Sequence, residues 1–136
     1  MLEIISFGSE IEPLSADKKG FVYSDKTLKE LKIKISKFSS DMGGTDIMKP
    51  LTSAFSHPCD KGYAKKIFLL TDGEVQNASE VIELTKKFSS HAQVHTFGIG
   101  NDCSKHLVRG VAKAGRGSFS VVEETKDLKA RVISAL

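Results

Sequence analysis

Cysteine is scarce: Cys59 and Cys103 are the only two, they lie far apart, and no Cys-x-x-Cys pair exists to hold zinc. That pattern excludes a disulfide framework and suits two reduced packing thiols in a reducing compartment. No apolar run approaches the ~18 residues of a membrane-spanning helix. The opening Met1-Leu2-Glu3-Ile4-Ile5 also lacks the basic-then-apolar pattern of a signal peptide. An excess of one charge is missing too, since 20 Lys and Arg against 17 Asp and Glu leave a formal +3. So small a balance makes no electrostatic claim on nucleic acid. Walker-lysine, Gly-x-Ser-x-Gly and His-Glu-x-x-His motifs are absent, which removes the common catalytic constellations. The expectation is a cytoplasmic, non-enzymatic domain without a membrane span or a nucleic-acid partner.

What is present is a globular pattern. With 40% hydrophobic and 27% charged residues, the chain is expected to form one compact domain over residues 1–136. Runs of apolar β-formers alternate with stretches of helical period, the layout of a mostly parallel sheet flanked by helices, an α/β class of Rossmann-like type. Strands are expected at Leu2–Phe7, Glu10–Leu14, Ile67–Leu70, Val94–Ile99 and Ser118–Val122. The continuous run Ile67-Phe68-Leu69-Leu70 reads as a central strand buried on both faces. Helices are expected at Asp25–Phe38, with Leu28, Leu31, Ile35 and Phe38 inward, and at Ile47–Phe55, with Pro50 tolerated near its first turn. A third helix starts with a capping-box-like Asn77 and Glu80, and a fourth carries Leu107, Val108, Val111 and Ala112. A last helix over residues 125–136 would turn Leu128, Val132, Ile133 and Leu136 inward.

Open parallel α/β sheets bind ligands beyond the carboxyl ends of their strands. Here those ends carry Gly8-Ser9, Thr71-Asp72-Gly73 and Gly98-Ile99-Gly100, and the loop Gly43-Gly44-Thr45-Asp46 can reach the same rim. A hydroxyl and carboxylates from separate loops are hard oxygen donors, suited to a Mg²⁺ that takes about six oxygens and keeps several waters. Two side chains alone would hold it weakly. Asp before Gly is also ordinary turn chemistry, and Thr45 and Asp46 equally suit a helix start. His91 and His95 straddle a loop and a strand and are read as ordinary histidines, not as a metal pair.

Several motifs occur in order: Ile4-Ile5-Ser6-Phe7-Gly8-Ser9, Met42-Gly43-Gly44-Thr45-Asp46-Ile47, Phe68-Leu69-Leu70-Thr71-Asp72-Gly73-Glu74-Val75, Thr96-Phe97-Gly98-Ile99-Gly100 and Leu107-Val108-Arg109-Gly110-Val111-Ala112. Together they resemble a von Willebrand factor A domain. More narrowly, they are similar to the A domains that follow a VIT domain in relatives of the inter-alpha-trypsin inhibitor heavy chains. The resemblance implies a metal-ion-dependent adhesion site, where three loops hold Mg²⁺ and an acidic side chain of a protein ligand completes the coordination. By position Thr45 matches the middle-loop ligand and Asp72 the third-loop carboxylate. Gly43, Gly44, Asp46, Gly73 and Glu74 are motif neighbours with loop-shaping or outer roles.

The resemblance also implies a first loop, Asp-x-Ser-x-Ser after a first strand, that has no counterpart near Met1. Asp102-Cys103-Ser104 echoes it only in a different loop and reads as a helix cap. The expectation is therefore an N-terminally truncated domain with weak or absent Mg²⁺ binding and exposed sheet edges open to self-association. Two other readings stay open: a metal-free structural scaffold, and a phosphate-binding α/β domain using Gly43-Gly44-Thr45 or Gly98-Ile99-Gly100. The second is weakened because a strand-end Asp72 repels phosphate and the further glycine of a dinucleotide fingerprint is missing.

Overall fold

Apolar β-formers and helical stripes generate ten elements in a computed structural model that describes residues 1–15, 20–37, 44–73, 75–123 and 125–135. They divide into two compact units, Met1–Pro58 and Cys59–Leu136.

In the first unit β1 (Ile5–Phe7) and β2 (Ile11–Pro13) form an antiparallel hairpin with Ser6 opposite Glu12. The first strand is shorter than the apolar run Leu2–Phe7 suggests, and Leu2 makes only an isolated bridge to Phe21. A physical reason lies in Glu3. Its carboxylate accepts from the backbone N–H of Ile4 at 3.0 Å and of Ser15 at 3.1 Å, and from the Ser15 hydroxyl. His57 Nε2 stands 3.5 Å from the same carboxylate. Backbone donors that could extend a ladder are thus drawn to a side chain.

Helix α1 (Asp25–Ile35) starts where the Ser24 hydroxyl accepts from Thr27 N–H at 3.1 Å, and it carries Lys32 and Lys34 in its last turn, matching the helix dipole. Leu31 is buried, whereas Ile35 is 43% exposed, so the inward stripe is narrower than its periodicity implies. Phe38 lies outside the described residues. Helix α2 (Met48–Ser56) places Pro50 in its first turn and buries Leu51 and Phe55, with Ile47 buried just ahead of it.

The second unit is a parallel sheet of β3 (Lys65–Thr71), β4 (Ala92–Ile99) and β5 (Arg116–Val122), in the order β3-β4-β5. Helix α3 (Ala78–Phe88) connects β3 to β4, and α4 (Lys105–Ala114) connects β4 to β5. The strand buried on both faces is β4, not the Ile67–Leu70 run expected for that place. In β3 the alternation of the pleat turns Leu69 and Thr71 inward and leaves Lys66 exposed and Leu70 38% exposed.

Leu107, Val108, Val111 and Ala112 of α4 are buried together, and Thr96 Oγ1 donates to Val108 O at 2.6 Å from the strand beneath. Ser104, not Asp102, starts α4 by accepting from Leu107 N–H at 3.3 Å. Asn77 stands at the cap position of α3, but its side chain makes no capping bond, so the expected capping box does not form. Helix α5 (Thr125–Ala135) leaves Ile133 58% exposed, against the inward placement its spacing suggested. Leu136 lies outside the described residues. Both cysteines are free; Cys103 packs inside, and Cys59 is exposed rather than a packing residue.

The β4–β5 ladder is irregular. Val94 lies opposite Arg116 but Thr96 lies opposite Phe119, so β5 holds one residue more than its partner. Arg116 takes a φ of 54°, and a Cβ on Gly117 would stand 2.1 Å from the Val94 carbonyl oxygen. Only glycine fits at 117.

Candidate functional site

In the second unit all three strands run the same way, so Thr71, Ile99 and Val122 end on one edge of the sheet. Thr71 lies opposite Gly98, which brings Asp72 out beside the Gly98-Ile99-Gly100 segment. The buried Thr71 hydroxyl accepts from Gly73 N–H at 3.4 Å, and this side-chain turn lifts the chain off the sheet. Asp72 is left exposed, and among the described residues its carboxylate has neither hydrogen bond nor ion pair. Gly100 N–H donates to Val122 O at 2.8 Å and ties the ends of β4 and β5 together. Glu74 lies outside the described residues.

In the first unit the 44–46 loop sits on the turn between β1 and β2. Asp46 N–H donates to Gly8 O at 3.0 Å, and Lys49 Nζ donates to Ser9 O at 3.0 Å. Gly44 has a φ of 50°, and a Cβ there would meet the Ser9 hydroxyl at 2.9 Å, so both its backbone and its surroundings favour glycine. Asp46 Oδ1 accepts from Met48 N–H at 3.0 Å and Lys49 N–H at 3.4 Å, while Oδ2 stands 3.6 Å from Lys49 Nζ. That carboxylate is occupied in starting α2. Thr45 beside it is half-buried, and its hydroxyl makes no hydrogen bond among the described residues. Gly43 lies outside them.

Thr45 and Asp72 therefore share a property that Asp46 lacks: each offers a hard oxygen that no described group uses. Their chemistry matches Mg²⁺ in kind. Each by itself supplies one of about six positions, far short of a closed all-protein site. No cluster of three or more His, Cys, Asp or Glu able to hold a metal occurs among the described residues. Two shallow hollows, one lined by Val122, Asp127 and Arg131 and another by Ile11, Met48 and Thr52, include neither Thr45 nor Asp72.

Sequence reasoning passed over Lys49 and the hydroxyl of Thr71, which shape the two loops. Both had a readable signal. Lys49 lies three residues after Asp46 on a helix, and a Thr two residues before a Gly is a side-chain turn in waiting.

A family model described as von Willebrand factor type A domain matches residues 1–121. A von Willebrand factor A domain-containing protein of Dictyostelium discoideum is 31% identical over 135 residues, covering 99% of this chain and 14% of that protein. Mouse von Willebrand factor A domain-containing protein 5B1 is 32% identical over 133 residues, covering 98% of this chain and 11% of its own length. The chain thus spans a small part of these relatives. Among solved structures, the conserved hypothetical protein BatB from Bacteroides thetaiotaomicron superposes with a TM-score of 0.74 at 16% identity, covering 98% of this chain and 76% of that one. At that identity the likeness concerns the fold. No helix among the described residues is long and apolar enough to cross a membrane.

Proposed function

The chain belongs to the von Willebrand factor type A family, a family of protein-interaction modules, and from that premise we propose that it recognises a protein ligand through a Mg²⁺-dependent contact to which it contributes Thr45 and Asp72. The observation that carries this reading is the Asp72 carboxylate. It stands exposed, and unpartnered among the described residues, at the carboxyl end of a parallel sheet, where such folds place their ligands. Thr45 and Asp72 would hold the Mg²⁺, which would supply a Lewis-acidic centre with positions open to an acidic side chain of the ligand. Asp72 provides the charge and Thr45 a neutral oxygen. Asp46 and Lys49 hold the Thr45 loop, and Thr71 with Gly73 holds Asp72 clear of the sheet.

Magnesium alone is the probe for the test. Titration of the chain with millimolar Mg²⁺ is expected to shift the amide NMR signals of Thr45 and Asp72 together, and the shift at Thr45 is expected to vanish in Asp72→Ala. Signals that stay put, or that move elsewhere with Thr45 and Asp72 unaffected, overturn the metal-dependent reading and leave a scaffold that binds through other faces.

A further inference from the structure

His95 is the one ionisable side chain of β4, and it is 8% exposed. Its ring stacks on Phe68 of β3, with centroids 5.2 Å apart. On the other side it meets the β5 bulge: Ser118 N–H points to Nδ1 at 3.2 Å, and the Ser118 hydroxyl lies 2.9 Å from the same atom. The extra residue in β5 displaces the ladder between the Val94 and Thr96 pairs. The imidazole lone pair therefore stands in for a strand carbonyl as acceptor of the Ser118 amide. An amide N–H can only donate, so Nδ1 must be unprotonated and the ring proton must sit on Nε2. Nε2 is buried and has no hydrogen-bond partner among the described residues.

We propose that His95 is a pH-sensitive latch: its neutral ring pins the bulged strand β5 to the sheet, and protonation releases the Arg116–Phe119 stretch. A proton on Nδ1 removes the one lone pair that holds Ser118 N–H and sets two donors face to face; the Ser118 hydroxyl, 2.9 Å away, can turn to accept from Nδ1–H, but the Ser118 amide is then left unheld. The resulting imidazolium is also buried, with its Nε2–H unmatched among the described residues, against the uncharged ring of Phe68, which stacks in turn on Phe97. Among the described residues the one charge that acts on its titration is of like sign. That charge is the Lys66 ammonium of β3, and β5 presents Ser118, which does not titrate. Helix α5 packs on the sheet with Lys126, Asp127, Lys129 and Arg131; α4, with Lys105, His106, Arg109 and Lys113, packs on the Thr96 side of β4, the face opposite to His95 in the pleat; and Arg116 of β5 donates to Ser89 O.

Burial, and then the Lys66 charge, lower the His95 pKa from its ordinary 6.5. A lowered histidine contributes stability that is fully present above the unfolded value, near 6.5, and is lost as pH falls from there towards the folded value. The latch is therefore set at neutral pH and opens in acid.

The test follows the full chain by NMR between pH 8 and pH 5. Imidazole nitrogen shifts are expected to show the Nε2–H form of His95 at neutral pH. Protection of the β5 amides around Ser118, corrected for intrinsic exchange, is expected to fall by up to about tenfold per pH unit below about 6.5, one proton being taken up on release. Protection at Leu69 in β3 should not follow it. In His95→Asn, whose carboxamide oxygen keeps an acceptor near the Nδ1 position but does not titrate, the acid dependence should disappear. A Nδ1–H tautomer at neutral pH overturns the latch, as does β5 protection that stays flat while His95 titrates, or an unchanged acid dependence in His95→Asn. If that variant fails to fold, the coincidence or divergence of His95 titration and β5 protection in the native chain decides by itself.

Discussion

The two units place their polar chemistry differently. In Met1–Pro58 a carboxylate sits inside the structure, with Glu3 gathering backbone and hydroxyl donors from Ser15 and standing beside His57. In Cys59–Leu136 the interior is built on Val94, Phe97, Leu107, Val108 and Val111, its buried polar groups are the Thr71, Thr85 and Thr96 hydroxyls and the His95 ring, and the acidic Asp72 is sent out to the sheet's end. Burial alone does not tell a structural carboxylate from a functional one; what decides is whether its lone pairs are already taken. Glu3 and Asp46 are committed to N–H groups, and among the described residues Asp72 is not.

That contrast can be broken most severely from the second unit. Leu107→Ala removes a fully buried side chain and is expected to cost about 3–5 kcal/mol, read as lost protection of the β4 and β5 amides in hydrogen exchange. Glu3→Ala leaves the Ser15 donors unmet and should cost about 2 kcal/mol by denaturant unfolding, with protection lost first in β1 and β2. Asp46→Ala strips the start of α2 and should cost about 1 kcal/mol, with Asp46→Asn recovering most of it. Asp72→Ala and Thr45→Val sharpen the comparison from the other end. Each should change stability by less than about 0.5 kcal/mol, because neither oxygen bonds to a described residue. A large loss on Asp72→Ala would mean that this carboxylate is structural after all.

Much of the architecture was legible in the sequence, for reasons that differ between elements. Helix α4 was plain because Leu107, Val108, Val111 and Ala112 repeat at helical spacing and all four are buried. The Thr71-Asp72-Gly73 turn was plain because Asp-Gly after an apolar run has few alternatives. The burial of β3 was misjudged because a run of four apolar residues does not reveal which faces are covered, and the pleat alone exposes Leu70. The shortening of β1 escaped notice because the Glu3 carboxylate that takes the Ile4 N–H is held in place by Ser15, far along the chain. Likewise Ile133 reads as inward by spacing, yet helix periodicity fixes only relative angles, not the rotation of the helix on the sheet. For the candidate ligands, the sequence supplied the residue types, and their unused oxygens emerged only with the hydrogen-bond partners of their neighbours.

The irregular β5 has a consequence for solubility. A flat outer strand offers its unpaired N–H and C=O groups to any other chain in extended conformation and so templates aggregation. The extra residue near Gly117, with Arg116 in a left-handed conformation, interrupts that row within its first half. Straightening the strand by deleting one residue there would give a more regular ladder and, by the same stroke, a stickier protein.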